Sequence, residues 1–389
     1  MPSANNIPLS LYIHIPWCEK KCPYCDFNSH LARSEVSEPA YIDAVLQDFE
    51  RDLATFSESL QDRKISSIFI GGGTPSLFCE DSFVRLINNL DSYLENDVEI
   101  TLEANPGSSE AKKFIGFREA GVNRLSIGIQ SFNKQHLKSL GRIHSGNEAI
   151  QAIQYAKDAG FDNFNIDLMF GLPAQTLDES VADVQKAIEL EPSHLSCYQL
   201  TIEPNTLFHH KPPVTPDNES LWEMQQAIQT ELRIASFSQY EVSAYARDEQ
   251  VCEHNINYWK FGDYLGIGAG AHGKITDSSG NVTRTWKIKH PASYSNSAQQ
   301  DQAFTGGINR IEPHQIAFEF MMNALRLRTG FGLDLFEQRT HLPSDMIEAQ
   351  LALHEKQGLI NINDRLVIPT QRGREMLDSM LQDYLLEVS

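Results

Sequence analysis

Ile15-Pro16-Trp17-Cys18-Glu19-Lys20-Lys21-Cys22-Pro23-Tyr24-Cys25-Asp26-Phe27 is the stretch that decides the fold. It holds three cysteines at CxxxCxxC spacing, where closed structural zinc and ferredoxin-type iron–sulfur sites take four protein ligands. Three thiolates can hold three irons of a [4Fe–4S] cluster and leave the fourth open to the amino and carboxylate groups of a small molecule. Competing readings are weaker. A zinc site completed by His14 or His30 lacks the second ligand arm such sites use. Six cysteines in 389 residues could be small buried hydrophobes, but a disulfide framework does not suit a large, Cys-poor chain without a secretory signal.

Around this loop, short apolar runs alternate with longer amphipathic ones. Leu9–Ile15, Ile65–Ile70, Val98–Ala104, Leu125–Ile129, Asn163–Phe170 and Leu195–Leu200 are expected as strands. Ala40–Phe56, Asp81–Leu94, Ser109–Ala120, Asn147–Ala159 and Asp178–Leu190 are expected as helices. Strand–helix alternation implies right-handed βαβ units and a parallel sheet, either a partial (β/α)6 barrel or an open doubly wound sheet. The unusual residues favour the barrel. The cysteine loop, Gly71-Gly72-Gly73-Thr74-Pro75, Glu103, Gln130 and Asp167 each fall at the C-terminal end of a different strand, where barrels place their chemistry.

The rhythm breaks after residue 205. A helix at Glu219–Ser236, a strand at Tyr240–Ala246 and a polar linker near Ser293–Gln302 are expected. From about Ile311 the pattern is helical, then helix (Met346–Gln357), β-hairpin and helix, a winged-helix arrangement. The expected fold class is therefore α/β, a partial (β/α)6 barrel with a C-terminal helical, winged-helix-like domain. The expected segments are 1–205, 206–300 and 301–389.

The net charge of −20, from 32 basic and 52 acidic residues, repels phosphate backbones and argues against nucleic-acid partners. The C-terminal 310–389 segment has 8 basic and 12 acidic residues, so its wing is not expected to bind DNA. No run approaches the roughly 18 apolar residues of a membrane span. Reduced cysteines without an export signal suggest the cytoplasm.

Individual motifs admit plain and functional readings. Bare backbone at Gly72 and Gly73 lets a ligand lie along the chain, although glycines in turns are common. Glu103 stands among apolar neighbours at the barrel mouth. Gln130, Arg142 and Asp167 could bind a ligand's carboxylate and hydroxyls, or pair within the mouth. Gly268–Gly273 fits GxGxxG literally, but without a following helix or a closing acid it reads as a flexible loop. His254 opens His254-Asn255-Ile256-Asn257-Tyr258-Trp259. An imidazole with aromatic neighbours suits a haem pocket, while a lone histidine more often fills a core.

Taken together, LYIHIPWCEKKCPYCDF, FIGGGTPS, LEANPG, RLSIGIQSF, NIDLMFGLPAQT and HNINYW resemble the radical S-adenosylmethionine (SAM) superfamily. More narrowly they resemble the HemW-type haem chaperones, relatives of the oxygen-independent coproporphyrinogen III oxidases. The resemblance implies that Cys18, Cys22 and Cys25 ligate a [4Fe–4S] cluster. It places Tyr12, Tyr24, Gly72, Gly73, Thr74, Glu103, Gln130, Arg142 and Asp167 at SAM, and His254 on haem, with Cys252 and His272 open as second axial ligands. The oxidases carry a further cysteine where this chain has Phe27. They also carry a longer extension before the position of Tyr12. Both departures argue against porphyrinogen decarboxylation, the alternative function, and no catalytic residue is assigned. The implied function is haem transfer to acceptor haemoproteins, membrane-associated ones included, with a homodimer also open.

Overall fold

The computed structural model describes residues 7–32, 37–107, 112–300 and 302–385. Six strands, β1 (Leu9–Ile15), β2 (Ile65–Gly72), β3 (Leu94–Ala104), β4 (Arg124–Gln130), β5 (Phe164–Phe170) and β6 (His194–Gln199), lie side by side in chain order, all parallel. Side chains alternate along each strand. Leu11, Ile13, Ile68, Ile70, Leu102, Ile127 and Ile166 turn outward into the main apolar core. The other face is polar and lines the barrel: Ser10 bonds Ser67 at 2.7 Å, and Ser126 donates to Asp167 at 3.1 Å.

The outer layer is built by α1 (Glu38–Thr55), α2 (Glu80–Leu90), α3 (Phe114–Glu119), α4 (Gly146–Asp158) and α5 (Leu177–Glu189). The expected start of α3 at Ser109 lies outside the described residues. Ser145 with Glu148, and Thr176 with Glu179, form reciprocal capping boxes at the starts of α4 and α5, worth about 1 kcal/mol each. Phe83 and Phe117 meet edge-on at 5.2 Å between α2 and α3.

Beyond β6 the chain follows α6 (Asn218–Ile234), then β7 (Ser238–Gln239) and β8 (Ala244–Ala246); β8 pairs antiparallel with β6, and β7 pairs antiparallel with β8 at the sheet edge. The HNINYW segment lies in the helix α7 (Glu253–Trp259). The chain then returns to the opposite edge, where β9 (Asp263–Ile267) pairs parallel with β1, a seventh parallel strand not anticipated from the sequence. Strands β10 (His272–Thr276), β11 (Val282–Lys287) and β12 (Thr305–Arg310) continue antiparallel to a twelve-stranded sheet. Asp263 anchors the return through Lys274 at 2.9 Å and Arg63 at 3.0 Å, all buried.

Two expectations are corrected here. The polar segment 293–302 is not a linker: Pro291–Gln299 is a helix (α8) whose Tyr294 is fully buried. The Tyr294 hydroxyl donates to Asp48 at 2.8 Å, and Lys287 bridges Asp48 and Asp52 at 2.6 Å each. One buried tyrosine thus outweighs a polar average. Nor is the GxGxxG match flexible. Gly268 sits at φ +96°, and a Cβ there would lie 2.3 Å from the His14 carbonyl oxygen. Its N–H meets Tyr294 Oη at 3.1 Å, and Ala269 N–H meets Tyr41 Oη at 2.9 Å.

The C-terminal part has its own core around Phe320, Phe331 and Phe336. It comprises α9 (Pro313–Ala324), α10 (Leu333–Thr340), α11 (Asp345–Lys356) and the hairpin Ile360–Asn363/Leu366–Pro369. Helix, hairpin and helix follow the winged-helix order expected. The fold is thus an α/β partial barrel with an appended winged-helix-like unit. No helix among the described residues is long and apolar enough to cross a membrane.

Candidate cluster and ligand site

At the C-terminal ends of β1–β6 lies a cavity of about 280 Å³. Its wall is the cysteine loop, tied down at both ends. Trp17–Cys18 pairs with His30–Leu31, and Asn28 Nδ2 donates to the Ala269 and Lys289 carbonyls at 2.9 and 2.8 Å. The Trp17 ring meets Tyr41 edge-on at 4.5 Å, so the loop stands on the core. Cys18, Cys22 and Cys25 line the cavity as free thiols. Burial pushes the Cys18 thiol up to about 11 and raises that of Cys25, so binding iron there must displace protons.

Among the described residues no three His, Cys, Asp or Glu side chains converge as a single ion requires. A tetrahedral zinc shell is therefore not preformed. A cube of iron and sulfur asks for something else: three thiolates set apart, one for each of three corners. The donor set fits that group.

The glycines across the cavity are required by the protein itself. Gly72 has φ +115°, and a Cβ there would sit 2.4 Å from His14 Cε1. A Cβ on Gly73 would meet the Trp17 carbonyl oxygen at 2.5 Å. Gly72 N–H donates to Glu103 Oε2 at 3.0 Å. Burial, and to a lesser degree Asp167, lifts the Glu103 carboxyl to about 7, against the opposing pull of that N–H. Asp167 is also raised by burial, but Ser126 and Asn165 donate to it at 3.1 and 2.8 Å.

Arg142 reaches in from the loop after β4. Its Nη2 donates to Asn105 Oδ1 and the Gly128 carbonyl, both at 2.6 Å, and its Nη1 faces Cys22 Sγ at 3.8 Å. Gln130 takes left-handed φ +70°, a strained choice for a non-glycine residue. It accepts from the Tyr198 hydroxyl at 2.5 Å. Asn105 Nδ2 donates to Thr74 Oγ1 at 2.8 Å.

Eleven of the thirteen expected site residues therefore line one cavity: the three cysteines, Tyr24, Gly72, Gly73, Thr74, Glu103, Gln130, Arg142 and Asp167. Sequence reasoning missed Asn105, Ser126 and Tyr198. Tyr198 was detectable by the rule that found the others, since it stands late in β6.

Tyr12 and His254 are placed elsewhere. Tyr12 stands deeper in the barrel, where its hydroxyl meets His14 Nδ1 at 2.9 Å, and His14 Nε2 meets the Asn28 carbonyl at 3.0 Å. Below Tyr12 lies His254, with ring centroids 6.5 Å from Tyr12 and 5.3 Å from Phe69. Its Nδ1 meets Ser67 Oγ at 3.3 Å. Burial, and then the charge of Arg124, lowers the imidazole to about 3, so it is neutral at physiological pH.

The helix carrying His254 is anchored from inside the barrel. Glu99 on β3 accepts from the backbone N–H groups of Glu253 and His254 at 3.1 and 3.2 Å and from Cys252 Sγ at 3.5 Å. Arg124 Nε stands 3.9 Å from the same carboxylate. Glu99 and Glu103 share one face of one strand, so β3 touches the HNINYW helix from its middle and the glycine loop from its C-terminal end. Cys252 is occupied by Glu99, and His272 is felt by His14 rather than by His254.

The family model described as the Radical SAM superfamily matches residues 12–187, and that of the HemN C-terminal domain matches residues 311–376. The heme chaperone HemW of Haemophilus influenzae is 47% identical over 383 residues, covering 98% of both chains. That of Escherichia coli is 45% identical, covering 98% of this chain and 99% of its own. Among solved structures, the coproporphyrinogen III oxidase HemN of Escherichia coli superposes with TM-score 0.81 at 23% identity, covering 98% of this chain and 90% of that one. At that identity the likeness concerns the fold.

Proposed function

Because the chain belongs to the HemW family of radical SAM proteins, we propose that it is a haem chaperone that binds haem through His254 and passes it to acceptor haemoproteins in the cytoplasm. Membrane-associated acceptors and a second copy of the chain are included among its partners. The observation that carries the reading is the state of His254. Its imidazole is neutral, and in the tautomer whose Nδ1–H donates to Ser67 Oγ at 3.3 Å the Nε2 lone pair would be left to meet iron.

At the barrel mouth, Cys18, Cys22 and Cys25 would hold a [4Fe–4S] cluster. Such a cluster supplies an electron and one open coordination position. Around it Glu103, once ionised, would hold the ammonium of SAM, Arg142 its carboxylate, and Asp167 its ribose hydroxyls. Gly72, Gly73 and Thr74 would offer backbone groups, and Tyr24, Gln130 and the deeper Tyr12 would shape and support the pocket.

The test is the absorption spectrum of anaerobically reconstituted protein with and without haem, for the native chain and for His254→Ala. Native protein should show both cluster and haem bands, and His254→Ala should keep the first and lose the second. Equal haem binding by His254→Ala would overturn the assignment. The fold shared with HemN along nearly the full chain gives the rival reading, oxidative decarboxylation of coproporphyrinogen III. Conversion to protoporphyrinogen IX by reconstituted protein with SAM would favour that rival.

A further inference from the structure

The open edge of the twelve-stranded sheet borders a second cavity, of about 560 Å³, between α6, β7 and the short helix Gln371–Glu375. Three arginines converge on it, Arg233, Arg328 and Arg374, in a chain whose net charge is −20. The hydrogen bonds of Arg328 and Arg374 go to neutral oxygens. Arg328 Nη1 donates to Gln239 Oε1 at 2.6 Å, and Arg374 Nη1 donates to the Pro369 carbonyl at 2.8 Å. Among the described residues none of the three has a carboxylate at ion-pair distance, whereas Arg326 is paired with Glu241 at 3.0 Å. Glu375, the one carboxylate of the lining, accepts from Gln371 Nε2 at 3.0 Å.

Gathering cations in this way is unfavourable by itself. Burial, and then the charge of Arg328, holds the Arg374 guanidinium below its usual range. An anion with more than one acidic group relieves that repulsion. Planar guanidinium forks match carboxylates two bonds at a time. The rest of the lining is suited to a flat apolar body: the Trp222 indole is 41% exposed, and Phe237 and Tyr245 lie buried behind it. Isolated phosphate is a poorer fit. Phosphates favour helix N-termini, and α6 lines the cleft with side chains from Trp222 to Arg233, its first turn lying outside the lining.

We propose that this cleft is a second porphyrin site, which takes the two propionate carboxylates of haem on Arg233, Arg328 and Arg374 and rests the macrocycle against Trp222. The proposal builds on the haem-carrier reading. The lining contains no His, Cys or Met, so the porphyrin is held by its edge and face without coordination of its iron. That makes the cleft a place from which haem leaves easily, distinct from the ligand at His254.

The test uses the full chain and iron-free mesoporphyrin IX, which has both carboxylates and cannot coordinate His254. Binding is followed by porphyrin fluorescence. The free acid should bind, its dimethyl ester should not, and R328Q and R374Q should each weaken binding about tenfold. R328K with R374K should restore part of it, and unchanged thermal unfolding midpoints would show that the variants fold. Equal binding of acid and ester, or an R328Q/R374Q double variant with native affinity, would overturn the proposal. So would inorganic pyrophosphate binding to a cleft that refuses mesoporphyrin. Because mesoporphyrin carries no iron, loss of the His254 assignment alone would leave these readings intact.

Discussion

Replacing Glu99 by alanine should unfasten the HNINYW helix from the barrel. The carboxylate is 8% exposed and accepts from two backbone N–H groups, at 3.1 and 3.2 Å, while standing 3.9 Å from a buried guanidinium. A hydrogen bond to a charged group contributes roughly 1.5–3 kcal/mol, and removing one partner of a buried ion pair costs about 3–5 kcal/mol. These terms overlap because one carboxylate serves all three donors, so the expected loss for Glu99→Ala is about 4 kcal/mol. Glu99→Gln keeps an acceptor oxygen but loses the charge, and about half of that loss is expected. Urea denaturation at pH 7 reads the global change. Hydrogen exchange of the amides of residues 253–259 reads the local one, and those amides should exchange faster than the amides of β1–β6. Haem affinity should fall with the helix. A loss in Glu99→Ala below about 1 kcal/mol, with native exchange in residues 253–259, would refute the anchoring role.

Other outcomes follow from the same geometry. Glu103 is raised to about 7, so between its ordinary value and that pH the folded state binds more protons than the unfolded one, and stability falls as pH rises through the window. SAM binding, which needs the ionised carboxylate, should therefore strengthen as pH rises through about 7, and calorimetry on Glu103→Gln should show weaker binding without that dependence. His254 falls to about 3, so haem affinity should be flat between roughly pH 5 and 8; a twofold or steeper drop toward pH 5 would implicate a different ligand. Serine at Cys18, Cys22 or Cys25 should abolish the cluster's visible absorption after anaerobic reconstitution. Retention of the full spectrum by any one of them would remove that cysteine from the ligand set.

Much of the barrel was legible because its outward face is monotonously apolar. Leu9–Ile15 was found to the residue, and the other five parallel strands differ from expectation by a few residues at their ends. The mouth was legible for a different reason: Glu103, Gln130 and Asp167 are polar residues at strand ends, where burial must have a purpose. What escaped notice depends on distant partners. Asp263–Ile267 becomes a parallel strand only because β1 offers an edge and Lys274 and Arg63 neutralise Asp263. Ser293–Gln302 looked like a spacer because its one anchoring ring, Tyr294, was averaged among polar neighbours. The depth of Tyr12 and the helical seat of His254 are likewise set by cross-barrel contacts to His14, Phe69 and Glu99. No local pattern encodes these.

A single strand, β3, presents Glu103 to the glycine loop and Glu99 to the helix that carries His254. Two binding events fastened to one stiff rod would be thermodynamic neighbours even though they occurred at different depths. If SAM at the mouth tightens haem at His254 by some factor, haem must tighten SAM by that same factor. A carrier wired in this way would register its load: the occupancy of the mouth would report whether cargo is aboard, and release of one would loosen the other.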